Sequence, residues 1–355
     1  MNTSVDAMAL DADRPRTPRP APHATHKLKL LLKREFWEHK GGFFWAPIWA
    51  GGISLLLTLM ALVFGEVAAR RAAASGKLQI DGDVMINGLD LSVITSKLDA
   101  EDLRKLSGGI DLSMLSSSMW PLMVLGFVVF FYCLGSLYDE RKDRSVLFWK
   151  SLPVSDTETV LSKVASATLM APVMATVAGV ITMIGFLALI SVVVLIHGGN
   201  PYTLIWGPAN PLQIGAQLLA SIPVYAVWAL PTVGWLMLCS SWARSKPFLW
   251  ALMIPLFAGI FVTWFDLMHF FNLDAGWFWK HIVARGLLST VPGSDLLYRG
   301  DDLVVASDGI ENVRQMLSIP NTYAAFLRPE TWIGAVAGVA MIIGAIRLRR
   351  WRDEG

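Results

Sequence analysis

The sequence predicts an all-α polytopic membrane protein with six transmembrane helices and both termini in the cytoplasm. Three observations predict it. Of 355 residues, 54% are hydrophobic and only 16% charged, well short of the roughly one quarter that a soluble domain carries. Six nearly uncharged runs lie at approximately 44–65, 117–138, 164–196, 211–241, 246–266 and 330–346, and about 20 apolar residues cross a hydrocarbon core of about 30 Å as a helix. Finally, Lys and Arg concentrate at the termini and in alternate connections, which puts that side in the cytoplasm.

Residues 1–25 are polar and proline-rich ("DADRPRTPRPAPHATH") with no apolar core. They predict a disordered cytoplasmic tail rather than a signal peptide. "KLKLLLKREFWEHK" follows and predicts an interfacial helix over 26–43. Leu28, Leu31, Leu32 and Phe36 form its loose apolar face, while Leu30 and Trp37 lie off it. Basic residues with Leu and Trp suit an anionic leaflet. The plainer alternative is a cytoplasmic extension of the first span.

The membrane domain then runs over 44–347. Its third and fourth runs exceed the minimum length, so they tilt, bend or protrude. Pro172, Pro223 and Pro231 are their natural kink sites, because proline removes a backbone donor and crowds the preceding turn. Two outside loops are large, 66–116 and 267–329. The first has the mixed composition of a small strand-and-helix cap. The second opens with "MHFFNLDAGWFWKHIVARGLL", an aromatic stretch that predicts an interfacial or re-entrant helix. Arg141, Lys142, Arg144, Lys150, Lys163, Arg244 and Lys246 fall on the cytoplasmic side. The basic tail 348–355 follows the last span directly, and "IRLRRWR" anchors that end.

Several chemistries are absent or weakly drawn. No G-x-x-x-x-G-K-[ST] phosphate loop occurs, and "LSGGI" at 106–110, set in an outside loop, reads as a chance match. Cys133 and Cys239 sit in apolar runs with no metal spacing and read as plain buried thiols. Ser107, Ser116, Ser117 and Ser118 have no base at a recognisable spacing. Asp266, His269 and His281 lie near the outer end of the fifth span, but the two histidines are too far apart in sequence for a helical ligand pair. A membrane-embedded enzyme acting on lipid or peptide at these three residues is therefore the weaker alternative, beside a scaffold that only recruits a partner. The spans hold almost no ionisable residues, which argues against a proton-coupled carrier or an ion channel. Their Met, Trp, Phe, Ser, Thr and Gly suit a bulky amphipathic substrate, or simply pack helices together.

One cytoplasmic stretch, "YDERKDRSVLFWKSLPVSDTETVLSK", stands between spans two and three. "DERKDR" places Asp139, Glu140, Arg141, Lys142, Asp143 and Arg144 in a row. Val146, Leu147, Phe148, Trp149 and Leu152 then give apolar groups on a short helix that Pro153 ends. Ser155 and Glu158 have capping-box spacing for the helix that follows. An aromatic anchor inside a rim of mixed charge suits a protein contact, though Phe148 and Trp149 dipping into the lipid interface is a second reading.

This stretch, together with the N-terminal amphipathic segment and the aromatic segment between spans five and six, resembles the permease subunit of ABC transporters of the ABC-2 type. The resemblance implies a type V exporter-like permease fold in a bacterial inner (cytoplasmic) membrane, working as a dimer of two copies. It implies no catalysis by this chain: two copies of a separate ATPase subunit would bind the ATP and Mg. The segment over about 139–157 would be the coupling helix that docks on that ATPase, with Asp139 to Arg144 as rim contacts and Phe148, Trp149, Leu152 and Pro153 as the anchor. Partners would be the ATPase, the second copy and membrane lipid, and no nucleic acid. The 66–116 loop is larger than many members carry.

Overall fold

A computed structural model describes residues 24–74, 99–144, 154–268, 274–298 and 318–352. Most of the tail 1–25, the anchor residues Phe148, Trp149, Leu152 and Pro153, and His269 lie outside the described residues. Within them, all regular structure is helical. Among them five helices are long and apolar enough to cross a membrane, or up to six if one bent helix pair is a single span. The chain is an all-α multi-pass membrane protein.

Helix α1 (Ala24–Glu38) leads through a π turn at Gly41–Trp45 into α2 (Ala46–Ala74), the first span. Helix persists past the expected start of the outside loop at 66. The alanine-rich "EVAARRAAA" has high intrinsic propensity, and Arg70 pairs with Glu66 one turn away at 2.6 Å. The second span, α3 (Ala100–Gly135), is 36 residues long. At 1.5 Å per residue it measures about 54 Å, far more than the hydrocarbon core. Residues 100–116, expected to belong to a strand-and-helix cap, are therefore the protruding end of this helix. Glu101 and Asp102 in its first turn favour the start electrostatically. Asn210 binds the Asp111 carboxylate through its backbone N–H at 3.1 Å and Nδ2 at 3.3 Å, tying the protrusion to a distant loop. "LSGGI" lies within this helix.

A short helix, α4 (Tyr138–Lys142), closes the second span. Helix α5 (Asp156–Ala165) opens the third. The Ser155 hydroxyl accepts from the Glu158 N–H at 3.1 Å, and the Glu158 carboxylate accepts from the Ser155 N–H at 2.9 Å, the reciprocal cap expected from the sequence. A π turn at Ser166–Met170 joins it to α6 (Ala171–Ile196), whose first turn carries Pro172. The fourth span is broken. It comprises α7 (Pro211–Ala220), α8 (Ile222–Trp228) and α9 (Leu230–Trp242), with a 50° bend between Pro211–Trp228 and Leu230–Trp242. Pro223 and Pro231 each stand in the first turn of the following piece, where a missing N–H costs nothing.

Lys246, left-handed at φ 47°, turns the chain into α10 (Pro247–Leu267), the fifth span. Between it and the last span run α11 (Ala275–Phe278), a π turn at Trp279–Ala284, α12 (Arg285–Leu288) and a 3-10 turn at Ser294–Tyr298. The short α13 (Ile319–Tyr323) precedes α14 (Pro329–Arg352), the sixth span.

Helices α2, α3 and α6 pack on one another, and α9 packs on α14 and α3. The α9–α14 crossing is close. A Cβ at Gly234 or Gly338 would collide with the facing backbone, and Gly334 with Gly338 spaces small residues as in tight membrane crossings. The Trp235 indole N–H bonds the Ala251 carbonyl at 2.9 Å, joining α9 to α10. Outward faces stay apolar: Ile53, Leu56, Leu57 and Phe64 on α2, and Phe257, Ile260, Phe261 and Trp264 on α10 are exposed. Water would penalise such faces, whereas a bilayer accepts them.

The segment from Ala275 to Tyr298 packs against the bundle through its buried residues. Its Ser289 and Thr290 are almost fully buried. Tyr225 donates to the Thr290 carbonyl at 2.9 Å, Trp228 to the Ser294 hydroxyl at 3.0 Å, and Thr232 to the Arg285 carbonyl at 3.0 Å. The segment thus seats against the bend in the fourth span.

Candidate functional site

The interior of a membrane bundle is expensive for charge, yet one end of this one buries several charged side chains. Four elements supply them: α1, α4, α5 and the last turns of α14. Lys163 is 2% exposed and Glu35 1%. The Lys163 ammonium donates to one Glu35 oxygen at 3.0 Å and pairs with Glu140 at 3.0 Å. Tyr132 donates its hydroxyl to the second Glu35 oxygen at 2.7 Å. Arg349 carries the longest link. Its Nη1 donates to Glu140 at 2.7 Å and its Nε to Asp156 at 3.1 Å. Arg34 approaches Glu140 at 3.6 Å. Three carboxylates thus face three cations, and each acid is held by at least one base.

Local sequence explains how the groups arrive. Leu31 and Glu35 are one turn apart on α1, so the helix buries that stripe. Asp156 and Lys163 are two turns apart on the face that α5 turns to the bundle. Tyr132 is wedged by ring contacts with His39 at 4.7 Å and Phe43 at 4.9 Å. Between α3 and α4 the helix breaks, and the Ser240 hydroxyl accepts from the freed N–H groups of Leu137 (3.1 Å) and Tyr138 (2.9 Å).

The sequence-predicted site residues divide. Asp139, Lys142, Asp143 and Arg144 are exposed. Glu140 and Arg141, expected beside them on a rim, are engaged within the chain. Glu140 sits in the ion-pair cluster, and Arg141 donates to the Ser240 and Ala243 carbonyls at 2.6 and 3.0 Å. In a helix, six consecutive charges must point in several directions, and two of them meet the bundle. On α1, Leu31 is buried, Leu32 and Phe36 are half-buried, and Leu28 and Trp37 are exposed. Leu32 joins Ala165, Leu169, Met170, Val173 and Met174 around a shallow apolar groove.

The ion pairs of this junction fix its geometry. Residues 145–153 lie outside the described part, but both of their flanks, Glu140 before and Asp156 after, are bound by one guanidinium from the last turns of the chain. Paired and hydrogen-bonded charges at low dielectric hold geometry tightly, since separating them leaves an uncompensated charge. Glu35, Glu38 and His39 bring ligand atoms within 4.8 Å of one another. Both Glu35 oxygens already accept from Lys163 and Tyr132, so that trio is not free to close on an ion.

Among the described residues, the other candidates are held in local contacts. His281 bonds the Trp277 carbonyl at 3.0 Å and stacks on the Trp277 ring at 5.0 Å. Ser117 and Ser118 donate back to Met114 and Leu115 in their own helix. Cys133 and Cys239 are free and buried. Sequence reasoning missed Glu35, Lys163, Arg349, Asp156 and Tyr132 as one site. The signals were the i, i+4 pairing of Leu31 with Glu35 and the two-turn spacing of Asp156 and Lys163. Comparison of the chain with protein-family models, curated proteins and solved structures finds no match.

Proposed function

We propose that this chain is the membrane permease subunit of an ATP-driven exporter of the ABC-2 type, working as two copies with a separate ATPase. The basic end of the bundle faces the cytoplasm of a bacterial inner membrane. The segment between spans two and three docks on the ATPase, which supplies ATP and Mg chemistry. Exposed Asp139, Lys142, Asp143 and Arg144 form the rim of that contact, and Phe148, Trp149, Leu152 and Pro153 its anchor.

One observation carries the reading: Arg349 clamps both flanks of the docking segment, while Lys163 ties the same cluster to α1. Force applied to the segment therefore passes at once to spans two, three and six and to the N-terminal helix. Coupling needs an element whose state both sites bias, and this junction joins the parts that such an element requires. The uncharged apolar span faces support a second copy or lipid beside them, and an amphipathic cargo rather than an ion.

The test is co-purification from native membranes. The chain brings down a polypeptide with ATPase activity, and Trp149→Ala combined with Leu152→Asp removes it without loss of membrane insertion. Equal ATPase recovery from both proteins would refute the docking segment.

A further inference from the structure

A second buried charge lies away from the junction. Arg285 is 6% exposed. Its guanidinium lies over the Trp228 ring, Cζ to centroid 3.2 Å, and faces the Tyr298 ring at 5.7 Å. Among the described residues neither Nη1 nor Nη2 has a hydrogen-bond partner, and no carboxylate pairs with it. The Arg285 carbonyl is occupied by Thr232 and Ser289, at 3.0 and 2.6 Å. Room for the fork is made by Gly334, where a Cβ would stand 2.7 Å from Nη2.

Depth follows from α14. Gly334 and Arg349 are fifteen residues apart, about 22 Å along the helix. Arg285 is therefore well removed from the ion-paired end, in the opposite half of the bundle. A guanidinium is a cation at neutral pH. A buried cation is ordinarily paired, and a buried donor without a partner calls for an explanation. Stacking on Trp228 offsets only part of the cost. Two parallel N–H donors on a planar fork match an oxyanion such as phosphate or carboxylate.

Exposed Lys280 also stands over the Tyr298 ring, 5.4 Å from its centroid, so the same ring meets a surface cation and the buried one. Around it Trp277, Ile282, Leu288 and Leu297 are exposed and apolar. We infer that Arg285, with Trp228, Tyr298 and Lys280, forms a binding site for the phosphate or carboxylate group of an amphiphilic molecule in the membrane. The anion is drawn to Lys280 and passes the Tyr298 ring. It then accepts from both Nη atoms, while its apolar part lies along Trp277, Ile282 and Leu297. The site does not depend on ATPase docking.

The experiment uses the full chain in nanodiscs of phosphatidylcholine, of phosphatidylcholine with phosphatidylglycerol, and of phosphatidylcholine with inorganic phosphate in the buffer. Thermal unfolding of the wild type, Arg285→Gln, Arg285→Lys and the exposed control Arg70→Gln is compared. Phosphatidylglycerol is expected to raise the wild-type midpoint by about 3 °C, to do the same for Arg70→Gln, and to lose the effect in Arg285→Gln. A rise with phosphatidylglycerol alone assigns the site to a membrane headgroup, and a rise with phosphate as well assigns it to the free anion too. If Arg285→Gln does not fold, Arg285→Lys decides: it retains the charge but not the fork, and is expected to keep less than half of the gain. No rise with either anion, or an equal rise in wild type and the Arg285 variant that folds, overturns the site.

Discussion

Arg349 and Arg285 are almost equally buried, at 4% and 6% exposure, and they are held in opposite ways. Arg349 spends its donors on Glu140 and Asp156 inside a balanced cluster. Arg285 lies between aromatic rings, and its two terminal nitrogens have no acceptor. The contrast teaches what each end of the bundle is built to do. A closed set of ion pairs resists change, because moving any member exposes another charge to low dielectric. An open guanidinium remains receptive, because any acceptor that reaches it relieves a standing cost.

Substitution by an isosteric apolar residue separates the two cases most sharply. Arg349→Met is expected to lower unfolding stability in detergent by about 3–5 kcal/mol, since Glu140 and Asp156 lose their shared partner. Adding Asp156→Asn removes the acid whose ion pair was with Arg349, and should recover part of that loss. A cost below about 1 kcal/mol would mean that water reaches the junction and the clamp is loose. A smaller effect is expected inside the same cluster. Tyr132→Phe removes one hydrogen bond to the Glu35 carboxylate and should cost about 1.5 kcal/mol, read by the same denaturation.

Arg285→Met, by contrast, should stay within about 1 kcal/mol of the wild type in zwitterionic detergent. The lost cation–π contact is offset by removal of an unpartnered buried charge. A loss as large as that of Arg349→Met would erase the comparison. Smallest of all is Lys105→Ala. Its ion pair with Glu101 spans 2.8 Å but is largely exposed, at 69% and 74%. Such pairs contribute little, so thermal unfolding should show no resolved change.

The all-α membrane class was legible because run length and lack of charge are properties of contiguous residues. The reciprocal Ser155–Glu158 cap was legible for the same reason, as was the weakness of the fourth span near Pro223 and Pro231. The helical protrusion at 100–116 was not. Its composition is polar enough for a loop, and the packing that holds it depends on Asn210, distant in sequence. The junction was invisible in a different way. Glu35 reads as one more charge on a basic interfacial helix, and Glu140 as one of six in a row. Only the approach of Arg349, 209 residues from Glu140, separates the inward acid from its exposed neighbours.

The sequence alone determined that the chain carries repeated helices long and apolar enough to cross a bilayer, because transfer of a helix into hydrocarbon is decided by the residues of that helix. Tertiary structure alone decided which charges are paired and which is left open. Pairing depends on distances between elements far apart in the chain, and Coulomb energy at low dielectric is set by those distances rather than by composition.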